Sequence, residues 1–261
     1  NSWAILTREE STRAGTASAS DEGVMDLAST ADTESQLLRT VRGCRYFREL
    51  DERELVEILP FCSLLKLRQN DLLWRAGDPA THFHQVVRGL IELRRAAGSY
   101  EATLMAFFGP TECPAVPVVL DQKRYGADAV VVSDDAVVLS IRALPILERM
   151  KQDPRITLAI NRALIAQMRL LHGKIDVMAA GTVPRRLALF LLSLADRFGD
   201  EVESGETVIP FGLSRQQVAT YVNARVETVI RALSVWRKSG LVELQRDRIV
   251  LPATESLRQS V

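Results

Sequence analysis

The sequence predicts an α+β chain built in three consecutive parts: a β-rich sandwich or barrel, one long helix, and a winged helix-turn-helix. Three observations carry that prediction. Seven short β-rich runs follow one another at even spacing between about Phe61 and Ile141, the pattern of a sandwich or barrel. Asp153-Pro154 then opens a helical pattern that runs unbroken to about Ala180. Beyond Gly181 the chain is helical again and closes on two short β runs around Arg246-Asp247.

Composition sets the outer limits. The 261 residues are 47% hydrophobic and 25% charged, enough apolar content for one large or two ordinary domains. With 33 basic and 33 acidic side chains the chain is neutral, which argues against a generic polyanion binder without excluding a local basic surface. Gly and Pro together number 24, so the chain is neither collagen-like nor wholly disordered. Three cysteines make no disulfide framework and fit a reducing compartment. No apolar run reaches the ~18 residues of a membrane span. Arg8, Glu9 and Glu10 interrupt any signal-like stretch, so a cytoplasmic protein with no membrane partner is expected.

Residues 1–34 are rich in Ser, Thr, Ala, Asp and Glu and read as a flexible tail with at most a short helix near Val24–Leu27. Residues 35–152 form the predicted β-rich part, with helices at its start. Within it, Leu37, Leu38, Val41, Phe47, Leu50, Leu55, Ile58 and Leu59 recur at helical spacing, as two helices broken at Gly43. The β-rich runs follow: Ser63–Leu67, Leu72–Trp74, Phe83–Val87, Leu90–Arg94, Thr103–Phe108, Val130–Val132 and Val137–Ile141.

The long helix occupies residues 153–180, about 40 Å at 1.5 Å per residue. Along it Ile160, Leu164, Met168, Leu171, Ile175 and Met178 are spaced 4, 4, 3, 4 and 3. So narrow an apolar seam on a connecting helix predicts pairing with a second copy of itself, hence a homodimer.

Residues 181–261 carry the chemistry. Val183–Phe198 is amphipathic. Ser214-Arg215-Gln216-Gln217 is a capping box, in which the Ser hydroxyl caps a helix and Gln217 reaches back. A tight turn at Asn223-Ala224 leads to a second helix, Val226–Lys238, closing at Gly240: a helix-turn-helix. Val218, Ala219, Val222, Val229 and Leu233 supply its small core, and the runs Leu241–Leu244 and Ile249–Leu251 form the wing. From Gly212 to Gly240, Arg215, Arg225, Arg231, Arg237 and Lys238 face the single acid Glu227, a patch of net +4 in a neutral chain. Such a patch suits phosphates, and residues early in the second helix suit base edges. Glu227 and Arg231 lie four apart on one face. The carboxylate can accept from cytosine N4, and the guanidinium can pair with guanine O6 and N7. The plainer alternative is a surface ion pair between the two.

These motifs resemble the CRP/FNR transcription regulators. The string LSRQQVATYVNARVETVIR, from Leu213 to Arg231, resembles the family's recognition motif and ends in the Val-Glu-Thr-x-x-Arg form of the FNR branch. TVPRRLALFLLSLA, from Thr182 to Ala195, resembles the hinge and first helix of the family's DNA domain. AGDPA (Ala76–Ala80) and VVRGLIEL (Val86–Leu93) resemble the β-roll of the cyclic-nucleotide-binding fold. The resemblance covers about residues 36–255, with the motifs in family order. It implies a cyclic-nucleotide-binding-type β-roll, a dimerisation helix, a winged helix-turn-helix, and double-stranded DNA and RNA polymerase as partners. Ser214, Arg215, Gln216, Arg225, Val226, Glu227, Thr228 and Arg231 become the expected DNA-binding residues. Arg215 and Thr228 take phosphate roles and Glu227 and Arg231 read bases in a TTGAT-like half-site. Ile230 departs from the small Ser of the branch, which leaves the outermost base preference open.

For the sensor, cyclic-nucleotide binders of this fold carry a Gly-Glu pair and, about ten residues on, an Arg that pairs the cyclic phosphate. Here Ala115 stands where Glu is expected and Tyr125 where Arg is expected, with Arg124 one place off and so on the opposite strand face. The sequence therefore predicts against cyclic AMP. Cys44, Cys62 and Cys113 are too few and too scattered for an iron–sulfur cluster. Heme stays open, because Tyr125-Gly-Ala-Asp-Ala resembles a stretch of nitric-oxide-responsive regulators of the DNR type. Its candidate residues are His82, His84, His172 and Tyr125. No catalytic motif of the phosphate-loop, His-Glu-x-x-His or Gly-x-Ser-x-Gly kind is present, so no enzyme is expected.

Overall fold

The structure, a computed structural model, describes residues 27–97, 100–203 and 205–259. The chain begins with helix α1 (Leu27–Gly43), so residues 27–34, read from the sequence as tail, are helical; the rest of the expected tail, including Val24, lies outside the described residues. Ser, Thr and Asp are poor helix formers. The apolar residues that anchor α1, Leu37, Leu38 and Val41, all lie in its C-terminal half, and they pack against the core of the next part.

Helix α2 (Glu52–Ile58) follows, with Asp51 and Glu54 in a reciprocal capping box. The β strands come next: β1 (Cys62–Arg68), β2 (Leu72–Trp74), β3 (His82–Arg88), β4 (Ile91–Ala97) and β5 (Tyr100–Phe108). After the short helix α3 (Val116–Leu120) come β6 (Asp128–Val131) and β7 (Asp135–Arg142). All pairings are antiparallel, in one sheet of order β1-β7-β3 and another of order β2-β6-β4-β5. Phe83, Val86 and Leu139 from the first sheet meet Trp74, Ile91 and Ala129 from the second in one core.

Helix α4 (Ala143–Met150) leads to the long helix α5 (Pro154–Ala179), whose N-cap Asp153 accepts a hydrogen bond from the Arg155 amide at 2.9 Å. Here the expected seam divides. Ile160 is fully buried and Leu164 half-buried against the roll, together with Ile156 and Ala163, so the first turns of α5 complete the core of their own protomer. Met168, Leu171, Ile175 and Met178 stay exposed, as does Ile165, and form the apolar stripe of the C-terminal half.

Gly181 adopts a left-handed conformation, φ 74°, and turns the chain into α6 (Val183–Phe198). Strands β8 (Asp200–Glu201) and β9 (Thr207–Ile209) precede α7 (Arg215–Tyr221) and α8 (Val226–Lys238). The wing strands β10 (Glu243–Leu244) and β11 (Ile249–Leu251) join β9 and β8 in a sheet of order β10-β11-β9-β8, and α9 (Thr254–Gln259) ends the described chain. The C-terminal part does not keep its core to itself. Leu90, Leu104, Phe107 and Val132 of the roll pack with Leu187, Phe190, Leu191, Tyr221 and Val222. Phe190 and Tyr221 stack at 4.2 Å between centroids, and Phe107 stacks on Tyr221 at 5.6 Å. Gly109 allows a second close approach, by Phe198 of α6, since a Cβ there would stand 2.5 Å from its Cε1.

Candidate nucleic-acid interface

The helix-turn-helix forms as its capping chemistry dictates. The Ser214 hydroxyl accepts from the Gln217 amide at 3.1 Å, and Gln217 Oε1 accepts from the Ser214 amide at 3.0 Å. Asn223, at φ 49°, makes the left-handed turn that an Asn side chain tolerates better than most. Arg186 of α6 secures that turn by donating to the carbonyls of Val222 (2.8 Å) and Asn223 (3.0 Å). Val229 and Leu233 bury one side of α8 against Val218, Ala219 and Val222 of α7, and this fixes which side faces out.

The outward side is the one the sequence predicts. Arg225, Glu227, Ile230 and Arg231 are exposed, whereas Val226 and Thr228 are half-buried at the helix start. Glu227 and Arg231 form no ion pair with each other or with any described residue, so both side chains keep their hydrogen-bonding capacity for a ligand. Arg225, Arg237 and Lys238 also lack acidic partners among the described residues, which leaves the local positive charge uncompensated. Ser214 and Gln216 are exposed at the start of α7. Arg215 is half-buried there, and burial together with the Arg237 guanidinium lowers its pKa from the ordinary value.

Sequence reasoning missed how this unit is fastened to the roll. Gln217, while capping α7, donates through Nε2 to Glu92 Oε2 at 2.9 Å; Glu92 is a nearly buried carboxylate on β4. Arg197 of α6 makes a bidentate pair with Glu112 at 2.9 and 2.7 Å and donates to the Phe107 carbonyl at 2.6 Å. Lys174 of α5 donates to the Tyr221 carbonyl and lies 3.6 Å from the centroid of that ring. Its burial pulls the ammonium pKa down to about 8. No local signal marks these pairs, whose members lie 125, 85 and 47 positions apart.

The interior of the roll is filled by its own aromatic side chains. Tyr125 is buried, stacks on Trp74 at 4.2 Å, and donates to the His82 carbonyl at 3.1 Å. Arg124 is turned outward, donating to the Gly77 carbonyl at 2.7 Å. Ala115 caps α3 in a left-handed conformation, φ 59°. The position expected for a phosphate-pairing Arg therefore holds a packed phenol, that for the ribose-binding Glu holds a methyl group, and a cyclic nucleotide does not fit this set. His84 is buried, 5.1 Å from the Trp74 ring and 6.2 Å from His82, and its Nδ1 has no partner. Burial depresses its pKa to about 3, so it is a neutral ring. His82 Nδ1 meets Thr81 Oγ1 at 2.9 Å, and His172 stands apart, exposed on α5. Three of the four heme candidates, His82, His84 and Tyr125, thus gather around Trp74, and only His172 lies elsewhere. No group of three or more metal-ligating side chains occurs among the described residues. Cys44 and Cys113 are buried and Cys62 half-buried, and burial pushes the Cys62 and Cys113 thiols up to about 12, so neither is ionised near neutrality. No described helix is long and apolar enough to cross a membrane.

Comparison with known proteins agrees with this layout. Residues 64–153 match the family model of a cyclic nucleotide-binding domain, and residues 185–260 that of a Crp-like helix-turn-helix domain. The chain is 26% identical over 183 residues to the nitrogen fixation regulation protein FixK of Azorhizobium caulinodans, covering 70% of this chain and 72% of that protein. It is 24% identical over 181 residues to the CRP-like cAMP-activated global transcriptional regulator of Mycobacterium tuberculosis H37Rv, covering 69% and 80%. Among solved structures, FixK2 from Bradyrhizobium japonicum superposes with a TM-score of 0.66 at 20% identity, over 76% of this chain and 96% of that one.

Proposed function

Given that the chain belongs to the CRP/FNR family of transcription regulators, we propose that it acts as a homodimer on an inverted-repeat DNA operator, reading TTGAT-like half-sites with α8. One observation carries the reading: Glu227 and Arg231 stand exposed and unpaired on the solvent face of α8, inside a basic surface whose one acid is Glu227 itself. Glu227 and Arg231 meet base edges, Arg215 and Thr228 meet the phosphate backbone, and Ser214, Gln216, Arg225 and Val226 complete the DNA-binding surface. The exposed stripe Met168, Leu171, Ile175 and Met178 supports pairing of two α5 helices, which sets two reader helices about 34 Å apart, one turn of DNA.

The signal enters through the roll and reaches α7 through the Glu92–Gln217 contact, and the regulator in turn acts on RNA polymerase. Relatives that are transcription regulators favour a regulator over an enzyme. For nitric oxide or oxygen sensing through heme the roll offers no open ligand at His84, whose buried imidazole packs 5.1 Å from the Trp74 ring.

The test is a binding assay with single-base operator variants at two salt concentrations. Arg231→Ala should cost about 1–3 kcal/mol per half-site and relax the preference at one G·C pair. Arg215→Ala should weaken all sequences alike and make the salt dependence shallower. Unchanged sequence preference in Arg231→Ala would remove that residue from base reading.

A further inference from the structure

Among the exposed large apolar side chains outside α5, Ile230 has a distinctive position. It is 44% exposed, three residues after Glu227 and one before Arg231, in the first two turns of α8. Single exposed apolar residues are ordinary on protein surfaces. This one flanks Glu227, on the side away from Arg231, on a helix whose core-facing residues, Val229 and Leu233, are already buried. Along the axis Ile230 lies about 4.5 Å beyond Glu227 and about 1.5 Å short of Arg231. With only about 60° of rotation between them it neighbours Glu227, and so faces the base step beside the pair that Glu227 reads.

From this placement we infer that Ile230 is a specificity-determining residue that packs on the 5-methyl group of one thymine in each half-site. The inference rests on α8 lying in the major groove, as proposed above. Its chemistry is selective. The thymine methyl is the one apolar group that any base presents on the floor of that groove. An isoleucine side chain neither donates nor accepts, so set against adenine N6 and N7, guanine O6 and N7 or cytosine N4 it would strip water from polar groups and return nothing. A β-branched side chain in a helix is also nearly fixed at χ1, so the contact costs little rotamer freedom. A serine at this position would lose the apolar contact and accept several edges.

The experiment removes only the methyl. Operators enriched by the wild-type protein from random duplexes are re-synthesised with deoxyuridine in place of each half-site thymidine in turn, and affinities are measured for wild type, Ile230→Ser and Ile230→Val. Wild type should lose about four-fold at one thymine position per half-site, and about sixteen-fold with both half-sites replaced, the effect of one buried methyl. Ile230→Ser should bind thymine and uracil operators equally at that position while keeping its G·C preference, and Ile230→Val should retain part of the difference. Thermal unfolding of each variant at the wild-type midpoint certifies the fold. No uracil effect in the wild type, or the same effect in Ile230→Ser, overturns the assignment while leaving α8 as the reader. Failure of the wild type to enrich any sequence overturns the reader helix itself and Ile230 with it.

Discussion

As pH falls below about 6.5, the unfolded chain protonates His84 while the native roll holds it neutral. The folded pKa is depressed to about 3, so between 6.5 and 3 the unfolded state binds the extra proton and stability declines with falling pH. The burial of the ring, and then the neighbouring His82, set the size of this effect. Full linkage amounts to about 1.4 kcal/mol per pH unit, and the partly protonated reference at pH 7 reduces the loss between pH 7 and pH 5 to about 2 kcal/mol. Urea unfolding of wild type and His84→Gln at pH 7, 6 and 5 isolates the term, because the carboxylates common to both proteins cancel in the difference. The wild type should lose about 2 kcal/mol more than the variant over that range. The neighbouring His82 and Arg142 are unchanged in the comparison, so they do not mimic the result. Parallel pH profiles in the two proteins would refute the neutral, buried imidazole and reopen His84 as an accessible ligand.

Other expectations follow from the same geometry. Millimolar cyclic AMP should leave the melting temperature of the protein unchanged, since Tyr125 and Ala115 offer the phosphate and ribose no charged partner; a clear rise would show that another residue completes the site. Leu171→Asp with Ile175→Asp should give monomers in sedimentation equilibrium, because each helix would bring two charges into an apolar seam, and persisting dimers would place the interface elsewhere. Gly109→Ala should cost about 1–3 kcal/mol by forcing Phe198 away, and should split one unfolding transition into two as the roll and the DNA-binding part lose their shared packing. A single, unshifted transition would mean that Phe198 relaxes freely.

Much of this architecture was legible in the residues because the signals are local. The Asp153-Pro154 cap, the Ser214–Gln217 capping box and the seven strand runs each declare themselves within a few positions, and all of them form. Local periodicity cannot say what an apolar face will meet, however. Ile160 and Leu164 carry the same spacing as Leu171 and Ile175, yet they turn into the roll, because α5 passes over that core before it reaches open solvent. Helix α3 was missed since Pro117 and a run of valines read as neither helix nor strand, and α4 because Pro145 interrupts it near its start. The exposed, basic face of α8 was visible as charge and spacing. Its attachment was not, because a glutamine that caps a helix gives no sign that its other amide hand will reach a carboxylate 125 residues away.

That second hand of Gln217 ties two equilibria together. The same amide that closes the α7 cap holds Glu92 on β4, so engagement of α7 by a phosphate backbone and rearrangement of β4 by a signal draw on one contact. Whatever free energy a bound signal lends to operator affinity, the operator returns to the signal in equal measure. On the proposed function DNA would itself be an effector of the roll: promoters of differing strength would leave it with differing affinity for its signal, and the concentration at which the cell responds would be set gene by gene.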